Sequence, residues 1–396
     1  MESYQKYGGV LTFARSVGYA VVKKPEGYTT AKVDQIIQEY EKKSANEQQS
    51  TAKQYPNIIT VVNETFADIK VLGDFKTNED YMPYFHSLKK NCVTGYTYAS
   101  IVGGQTANTE FELLTGNTLG FLSAGTTAFQ LYIHGQMPSL VSNLKAEGYS
   151  GNKAMHPFNP YNYNRPAVYK DFGFTDFIDK FDFPKNVKRV REYISDEANV
   201  DRIISEYEKN RKKTDQPFYM YNMTIQNHSP YDKDAANFKQ PIKIESSKYD
   251  AEANRYLNLI KYSDDSLKQL TGYFEKCKEP TIILFLGDHQ PRLTDEFMNK
   301  ITNGQYQTWS SEQMMKRYQV PFVIWANYDI KEQHIEKTSM NYIQSILTKT
   351  AGVKMTGYQR FLNEVRKEVP TITSQGYWGK NGKFYQINDK DHHIMV

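Results

Sequence analysis

The run Thr281-Ile-Ile-Leu-Phe-Leu286 leads directly into Gly287-Asp288-His289. An uncharged apolar run of this length is typical of a strand that is buried on both faces of a sheet. In open α/β sheets, ligands bind beyond the carboxyl ends of such strands. This stretch therefore predicts both the class of the fold and the edge of the sheet at which a site lies.

Other strand patterns alternate with helical patterns on both sides of this strand. Further strands are predicted at 57–62, 151–155, 218–224 and 320–325. Helices are predicted at 30–43, 81–90, from 106 onward, 137–147, 196–212, 251–276 and 340–347. The charged helix at 196–212 is expected to face solvent, and Asn381-Gly382 predicts a hairpin turn. The alternation predicts an α/β domain with a largely parallel central sheet.

The composition of the chain narrows the class of protein. With 396 residues, 39% hydrophobic and 24% charged, the chain is expected to be globular, with a large core or two domains. The formal net charge of +4 gives no argument for a nucleic-acid partner. Cys92 and Cys277 form neither a disulfide framework nor a metal-ligand spacing, so both are expected to be buried thiols.

Two interpretations of the cellular location follow from the apolar runs. No run reaches the ~18 residues that span a bilayer, and the polar start Glu2-Ser-Tyr-Gln-Lys-Tyr7 is unlike a signal peptide. At face value this pattern indicates a soluble, cytoplasmic protein. The alternative is a piece of a larger membrane protein.

A candidate nucleophile lies in the stretch from Ile101 to Gly116. Gly103 and Gly104 allow a tight turn, and Thr106 follows at the start of a helical pattern. The free N–H groups and the dipole at a helix start favour an anion, which suits a threonine alkoxide attacking phosphorus. Taken alone, the segment is read more simply as a capped helix after a glycine turn.

Residues with metal-ligating or acid–base side chains gather at the same predicted edge of the sheet. They are Glu64, Thr106, His228, Asp288 and His289. Carboxylates and imidazole around a hydroxyl form a mixed O/N site suited to Mn²⁺, Zn²⁺ or Mg²⁺. Such an ion would lower the pKa of a threonine hydroxyl, and a histidine nearby would protonate the departing alkoxide. The constellation predicts metal-assisted transfer through a covalent intermediate.

The loop His156-Pro-Phe-Asn-Pro-Tyr-Asn-Tyr-Asn-Arg165-Pro is a second candidate region. Loops carry binding residues more often than regular elements do. Arg165 could donate two parallel hydrogen bonds to a phosphate, and the tyrosines could line a pocket for a polyol or a sugar. An ordinary Pro/Asn turn is equally consistent with this composition.

Four motifs, taken together, resemble the lipoteichoic acid synthase family of the sulfatase/alkaline-phosphatase superfamily. They are Asn63-Glu-Thr-Phe66, Gly103-Gly-Gln-Thr-Ala-Asn-Thr-Glu-Phe111, Asn227-His228 and Gly287-Asp-His289, and the resemblance runs from about residue 56 to 326. It implies a three-layer sandwich with a mostly parallel central sheet and a smaller C-terminal subdomain. It divides the chain into an N-terminal arm, short helix and linker (1–53), a catalytic domain (54–330) and a C-terminal helix and hairpin region packing on that domain (331–396).

The resemblance also implies an activity and a location. Family members are polytopic membrane enzymes of Gram-positive bacteria with an extracellular catalytic domain. They move sn-glycerol 1-phosphate from phosphatidylglycerol to a glycolipid, a teichoic chain or a wall polysaccharide. The native protein is then expected to have transmembrane helices before residue 1.

Each site residue takes a role from the resemblance. Thr106 is the expected nucleophile, and it holds Mn²⁺ (Mg²⁺ or Zn²⁺ as alternatives) together with the ligands Glu64, Asp288 and His289. His228 is expected beside the leaving group. The residues expected to bind glycerol phosphate are His156 and Arg165, with Tyr163 as a pocket wall.

One departure from the family and several alternatives remain at this point. Tyr163 stands where lipoteichoic acid synthases have tryptophan, so this pocket wall departs from the family. The loop is also longer and richer in Tyr and Asn than is expected for the polymerases, which favours the branches that modify polysaccharides or glycolipids. Sulfatase activity needs Cys or Ser in a C/S-x-P-x-R context, which neither Cys92 nor Cys277 has. A phosphodiesterase, a phosphoethanolamine transferase and a non-catalytic relative that binds wall polymers stay open. The intact ligand set argues against the last.

Overall fold

The sheet and helices follow the predicted alternation. The computed structural model describes residues 8–11, 27–46, 55–123, 125–245, 251–304 and 306–387. The strands are β1 Asn57–Asn63, β2 Cys92–Tyr98, β3 Ser150–Met155, β4 Asp176–Ile178, β5 Arg189–Val190, β6 Tyr193–Ile194, β7 Phe218–Met223, β8 Thr281–Gly287, β9 Gln319–Ala326, β10 Gln333–Ser339, β11 Thr371–Ile372, β12 Gly376–Trp378 and β13 Phe384–Gln386. The α-helices are α1 Thr30–Asn46, α2 Pro83–Ser87, α3 Thr106–Thr115, α4 Ala128–Leu131, α5 Leu140–Ala146, α6 Arg165–Phe172, α7 Asp196–Arg211, α8 Ala251–Phe274, α9 Asp295–Ile301, α10 Ser311–Met314, α11 Met340–Thr350 and α12 Gly357–Glu368.

Eight strands form one central sheet, in the order β10-β2-β9-β8-β1-β7-β3-β4. Its ladders are parallel except on the two sides of β9, which pairs antiparallel with β2 and with β8. The prediction of a mostly parallel central sheet in an α/β fold is confirmed. Because β2, β8, β1, β7 and β3 all run in the same direction, their carboxyl ends lie at one edge of the sheet.

Both faces of the sheet are covered, which makes the domain three-layered. Along β1, Ile58 and Val62 pack into one apolar cluster with residues of α3, α5, α6 and α11. Ile59 and Val61 point the other way, into a second cluster with residues of α7, α8 and α9. Because both faces of the strand are buried, its sequence is a continuous run of mainly apolar residues.

The end of β8 is fixed by a close backbone contact. A Cβ atom at Gly287 would lie 1.8 Å from the carbonyl oxygen of Phe66, so only glycine fits there. In the β1–β8 ladder, Asn63 lies opposite Gly287. Glu64 and Asp288, the next residues of each strand, consequently leave the sheet side by side.

Helix α1, near the start of the described chain, packs against C-terminal elements outside the central sheet. Helix α1 packs on α12, with the rings of Tyr40 and Phe361 5.5 Å apart. Strands β11, β12 and β13 form a small antiparallel sheet, and the hairpin predicted at Asn381-Gly382 joins β12 to β13. Strand β10 belongs to the central sheet, so the proposed boundary at residue 330 lies between two of its strands and stays a prediction. Within the described ranges, no helix is both long and apolar enough to cross a bilayer.

Several local predictions are wrong. The N-terminal arm is predicted from its short apolar runs with Gly and Pro to be extended, but residues 8–11 are helical, and residues 12–26 of the arm lie outside the described residues. Helix α1 continues to Asn46, into the predicted linker, whose residues 47–53 are not described. Helix α7 is not simply a solvated face, because Asp196 and Glu206 on it are buried. Strands β2 and β10 and helix α12 have no counterpart among the predictions.

Candidate active site

Three side chains converge where β1 and β8 end, and we call them the metal cluster: Glu64, Asp288 and His289. Their ligand atoms all lie within 4.8 Å of one another, and all three residues are buried. His289 Nε2 lies 3.2 Å from Asp288 Oδ2 and 3.8 Å from Glu64 Oε1. The structure therefore brings together three of the four metal ligands that the sequence predicts, the fourth being Thr106.

The metal cluster has polar atoms that no other described group satisfies. Asp288 Oδ1 accepts hydrogen bonds from the backbone N–H of Thr65 and of His289, but Asp288 Oδ2 and His289 Nε2 are buried without a hydrogen-bond partner. Burial and the neighbouring Asp288 carboxylate raise the pKa of Glu64 to about 8. Unsatisfied buried oxygen and nitrogen acceptors are costly, and a divalent cation fits this donor set.

Thr65, next to Glu64, has a backbone conformation that signals a functional constraint. Its φ of 53° is rare for a β-branched residue. In that conformation its N–H points at Asp288, while its hydroxyl donates to Glu64 Oε1 at 2.8 Å. Thr65 thus orients both carboxylates of the metal cluster.

Thr106 is the first residue of helix α3 and lies beside the metal cluster. Gly103, Gly104 and Gln105 before it have φ values of 68°, 144° and 64°. Two hydrogen bonds tie this region to the loop after β8: Gly103 N–H to the Gln290 carbonyl (2.9 Å) and Thr109 Oγ1 to the Asp288 carbonyl (2.8 Å). The start of the ten-residue helix, where anions are stabilised, is thereby held next to the metal cluster.

The three site histidines are oriented in the same way. Nδ1 lies near a backbone carbonyl oxygen in His156 (Met223, 3.0 Å), His228 (Ser229, 2.7 Å) and His289 (Gln290, 3.0 Å). Because a carbonyl can only accept, Nδ1 carries the proton and Nε2 is left for a metal or a substrate. Burial and the nearby Arg165 guanidinium hold the pKa of His156 well below its ordinary value, so it is neutral.

Arg165 lies in a second buried group of charges, which we call the arginine cluster: Arg165, Glu110, Tyr169 and Tyr221. Arg165 donates to Glu110 Oε1 from both Nε (3.1 Å) and Nη2 (2.7 Å). The hydroxyls of Tyr169 and Tyr221 donate to Glu110 Oε2. Glu110 thus holds one edge of the guanidinium, and Nη1 donates to the Asn162 carbonyl at 3.4 Å. The two-pronged phosphate contact stays a prediction, limited to the N–H groups of Nη1 and Nη2 that these two partners do not use.

Glu110 is a site residue that the sequence reasoning missed. It lies four residues after Thr106, which places the two on the same side of α3. That spacing was readable from the sequence. Glu110 therefore couples the position of helix α3 to that of Arg165.

One cavity of about 120 Å³ joins these groups. Its walls include Glu64, Thr106, His289, His156, Tyr163, Arg165 and His228. The Tyr163 ring lies 5.2 Å from the Arg165 guanidinium carbon, and the half-buried His228 ring stacks on Phe158 at 6.1 Å. Of the residues predicted for the site, only Asp288 does not line this cavity, and it lies behind His289.

Two further arginines border the site and were not predicted. Arg191 donates from Nη2 to the carbonyls of Gln226 (2.8 Å) and His228 (2.7 Å), and so holds the loop that carries His228. The exposed Arg292 lines the cavity, and its Cβ lies 3.0 Å from where a Cβ of Gly103 would be. The cavity therefore brings together the Thr106 hydroxyl, a candidate metal-ligand set and arginine cations, which are the groups that phosphoryl transfer uses.

The fold and the site together define an α/β domain with a candidate divalent-metal site at the carboxyl edge of a mostly parallel sheet. Residues 56–353 match the family model described as sulfatase, and the chain belongs to the sulfatase family. It is 31% identical over 390 residues to a putative cyclic β-1,2-glucan modification protein of Rhizobium meliloti, a match that covers 96% of this chain and 58% of the relative. It is 27% identical over 240 residues to the lipoteichoic acid synthase-like YvgJ of Bacillus subtilis, covering 59% of this chain and 36% of that protein.

A solved structure shares the fold. The phosphoglycerol transferase GacH of Streptococcus pyogenes, in complex with sn-glycerol-1-phosphate, superposes with a TM-score of 0.74 at 20% identity, covering 88% of this chain and 89% of that one. The resemblance to lipoteichoic acid synthases and phosphoglycerol transferases, predicted from the four motifs, is confirmed. The chain spans only part of its curated relatives, 58% of the first and 36% of the second.

Proposed function

We propose that this domain transfers glycerol phosphate from phosphatidylglycerol to a glycan or glycolipid of the cell envelope, through a covalent intermediate on Thr106. The observation that carries the proposal is the metal cluster, whose buried, unpartnered Asp288 Oδ2 and His289 Nε2 lie beside Thr106. Membership of the sulfatase family and the likeness to a phosphoglycerol transferase support it.

The chemistry assigns one role to each residue. The Thr106 hydroxyl loses its proton to solvent, and its Oγ forms a bond to the phosphorus of the donor. The bond from phosphorus to the diacylglycerol oxygen breaks, and His228, in its doubly protonated form, delivers the Nε2 proton to that oxygen. An acceptor hydroxyl then gives its proton to His228 Nε2 and attacks phosphorus, and the bond from phosphorus to Thr106 Oγ breaks. A divalent cation held by Glu64, Asp288, His289 and Thr106 would lower the pKa of the threonine hydroxyl and neutralise charge at phosphorus.

The substrate groups bind to the remaining walls of the cavity. The N–H groups of Arg165 that Glu110 and Asn162 do not use contact the phosphate, and neutral His156 accepts from a glycerol hydroxyl through Nε2. Tyr163 closes one side. Mn²⁺ suits a set of two carboxylates, one imidazole and a hydroxyl, with Mg²⁺ and Zn²⁺ as alternatives.

The acceptor and the location complete the proposal. The relative named as a cyclic β-1,2-glucan modification protein supports a glycan acceptor rather than a growing teichoic chain. Because the donor is a membrane lipid, the domain works at the outer face of the cell membrane, attached to it by a part of the native protein outside this chain.

Donor selectivity tests the proposal. The protein, supplied with Mn²⁺, is incubated with vesicles that contain phosphatidylglycerol or phosphatidylethanolamine, and diacylglycerol release is measured. We expect release from phosphatidylglycerol only. Release from phosphatidylethanolamine alone would make the protein a phosphoethanolamine transferase, and release from neither would overturn the proposal.

A further inference from the structure

A second, larger cavity lies next to the catalytic one. It has a volume of about 720 Å³, and the turn Gly103-Gly104-Gln105 forms a wall of both cavities. A Cβ atom at Gly104 would meet nothing within 4 Å, so this residue leaves open space at the boundary between them. The residue after the turn is Thr106. A molecule in the second cavity is therefore placed beside the proposed nucleophile.

The lining of this second cavity, which we call the neutral groove, differs in charge from the catalytic cavity. Among its described lining residues there is no Asp, Glu, Lys, Arg or His. The catalytic cavity, on the other side of the same turn, has Glu64, Arg165 and Arg292 in its walls. A charged ligand in the neutral groove would lose hydration without gaining a counter-charge, which is costly.

The polar groups of the neutral groove are hydroxyls and amides. Gln375 donates from Nε2 to Ser374 Oγ at 3.2 Å, and Gln105 Oε1 accepts from Asn108 Nδ2 at 3.3 Å. The second amide atom of each glutamine is left for a ligand. Leu122 and Ile387 add apolar surface. Neutral donors and acceptors beside apolar surface suit a sugar ring, whose hydroxyls bond while its C–H groups pack.

A neighbouring aromatic residue fits the same ligand. Phe121 precedes Leu122 of the groove in the chain, and 60% of its surface is exposed. Exposed aromatic rings offer the flat apolar face on which sugars stack. We infer that the neutral groove binds an uncharged sugar residue of the acceptor glycan, next to the glycerol phosphate on Thr106. This inference rests on the proposed function and names the class of its acceptor.

Filling the groove tests the inference. Ser123 and Gln375 are lining residues at the surface, and Ser123→Trp and Gln375→Trp place a large side chain in the groove without touching the catalytic cavity. Gln130→Trp, at an exposed position of α4 that does not line the groove, is the matched control. Each protein is assayed for diacylglycerol release from phosphatidylglycerol vesicles and for transfer of glycerol phosphate to a neutral β-glucan oligosaccharide.

The groove variants should affect the second step, transfer to the glucan, but not the first step, diacylglycerol release. Transfer should fall by about tenfold or more in both groove variants, while diacylglycerol release stays within about twofold of the unmodified protein and the control. Unchanged transfer, or an equal fall in diacylglycerol release, would overturn the inference, and the second outcome would assign the groove to the lipid donor.

Direct binding keeps this test independent of the proposed function. Calorimetric titration with the β-glucan oligosaccharide should show binding to the unmodified protein and to Gln130→Trp, and at least about tenfold weaker binding to the groove variants. Oligo(glycerol phosphate) should not compete for the groove. If the protein releases no diacylglycerol but binds the glucan in the groove, only the proposed function fails. Equal glucan binding by all variants overturns the groove assignment alone.

Discussion

The metal cluster and the arginine cluster are both buried and charged, yet their charges are balanced in different ways. In the arginine cluster, Glu110 has Arg165 as an ion-pair partner at 2.7 Å, and two tyrosine hydroxyls complete its hydrogen bonds. In the metal cluster, Asp288 Oδ2 and His289 Nε2 lie 3.2 Å apart and neither has a hydrogen-bond partner, and the pKa of Glu64 is raised to about 8. A balanced cluster positions its members, whereas an unbalanced one indicates a cation that the polypeptide does not supply.

The largest expected effect is on activity, from Asp288→Asn. The variant keeps the acceptor for the N–H groups of Thr65 and His289 but lacks the anionic Oδ2. We expect diacylglycerol release to fall by roughly a thousandfold, because a catalytic metal contributes several kcal/mol to the transition state. Metal content by mass spectrometry should fall in parallel.

Asp264→Asn is the control for that loss. Asp264 also accepts two backbone hydrogen bonds, from Tyr84 on Oδ2 and from Phe85 on Oδ1, but lies outside the site. Its Asn variant loses one of these bonds, because an amide nitrogen cannot accept, and so controls for lost hydrogen bonding away from the metal cluster. Its variant should keep its metal and its activity. If Asp288→Asn also kept both, Asp288 would be removed from the metal cluster.

The next effect is on stability, and it is measured by comparing substitutions of two glutamates in helix α3. Glu110→Gln leaves Arg165 buried without a counter-charge and should lower the free energy of unfolding by about 3–5 kcal/mol. Glu112, also buried, accepts only from neutral groups, and its burial raises its pKa to about 7. At pH 6 Glu112→Gln should therefore cost less than about 1 kcal/mol. Urea unfolding at pH 6 measures both, and equal losses would contradict the assigned balance.

A smaller effect is expected for Arg165→Lys. Lysine cannot donate to Glu110 from two nitrogens and still present two more N–H groups to a phosphate. Affinity for glycerol phosphate should fall roughly tenfold to a hundredfold, since a hydrogen bond to a charged group contributes about 1.5–3 kcal/mol. Metal content should not change. Calorimetry with sn-glycerol 1-phosphate decides this, and unchanged affinity would leave Arg165 a purely structural partner of Glu110.

The last effect concerns how the stability of the metal-free protein depends on pH. The folded protein holds a proton on Glu64 up to about pH 8, whereas an ordinary glutamate releases it near 4.5. Stability should therefore fall as pH rises from about 4.5 to 8, because in this range the folded state binds the proton more tightly than the unfolded state. Adding Mn²⁺ should remove the loss at pH 8.

Glu64→Gln isolates this contribution from that of other buried carboxyls. In metal-free protein at pH 8 it should raise the melting temperature, the opposite sign to Glu110→Gln. Melting curves from pH 5 to pH 8 compare the two. A variant whose pH slope equals that of the unmodified protein would contradict the assignment of the raised pKa to Glu64.

The sequence predicted the central strands and the metal cluster for a physical reason. Buried parallel strands have continuous apolar sequences, so they can be recognised without other information. The residues that follow their carboxyl ends lie at the same edge of the sheet. The strand β2 was missed because Gly95 and alternating polar residues interrupt its apolar pattern. Glu110 was missed because its partner Arg165 lies 55 residues away, on another helix. Contacts of that kind depend on packing and leave no local pattern.

The neutral groove could not be predicted from the sequence either. Its walls come from separate parts of the chain, among them the turn at Gly103, the segment around Leu122, and Gln375. None of these segments resembles a binding motif by itself.

The central claim is that Thr106 carries glycerol phosphate during the reaction, and mass spectrometry of the intact and digested protein tests it most directly. After incubation with phosphatidylglycerol and Mn²⁺, a glycerol phosphate adduct should be found on the peptide that contains Thr106, and diacylglycerol should be released before any transfer. Thr106→Ala should remain folded and show neither adduct nor release, and Thr106→Ser should retain part of both. An adduct on another residue, or donor cleavage that persists in Thr106→Ala, would contradict the account.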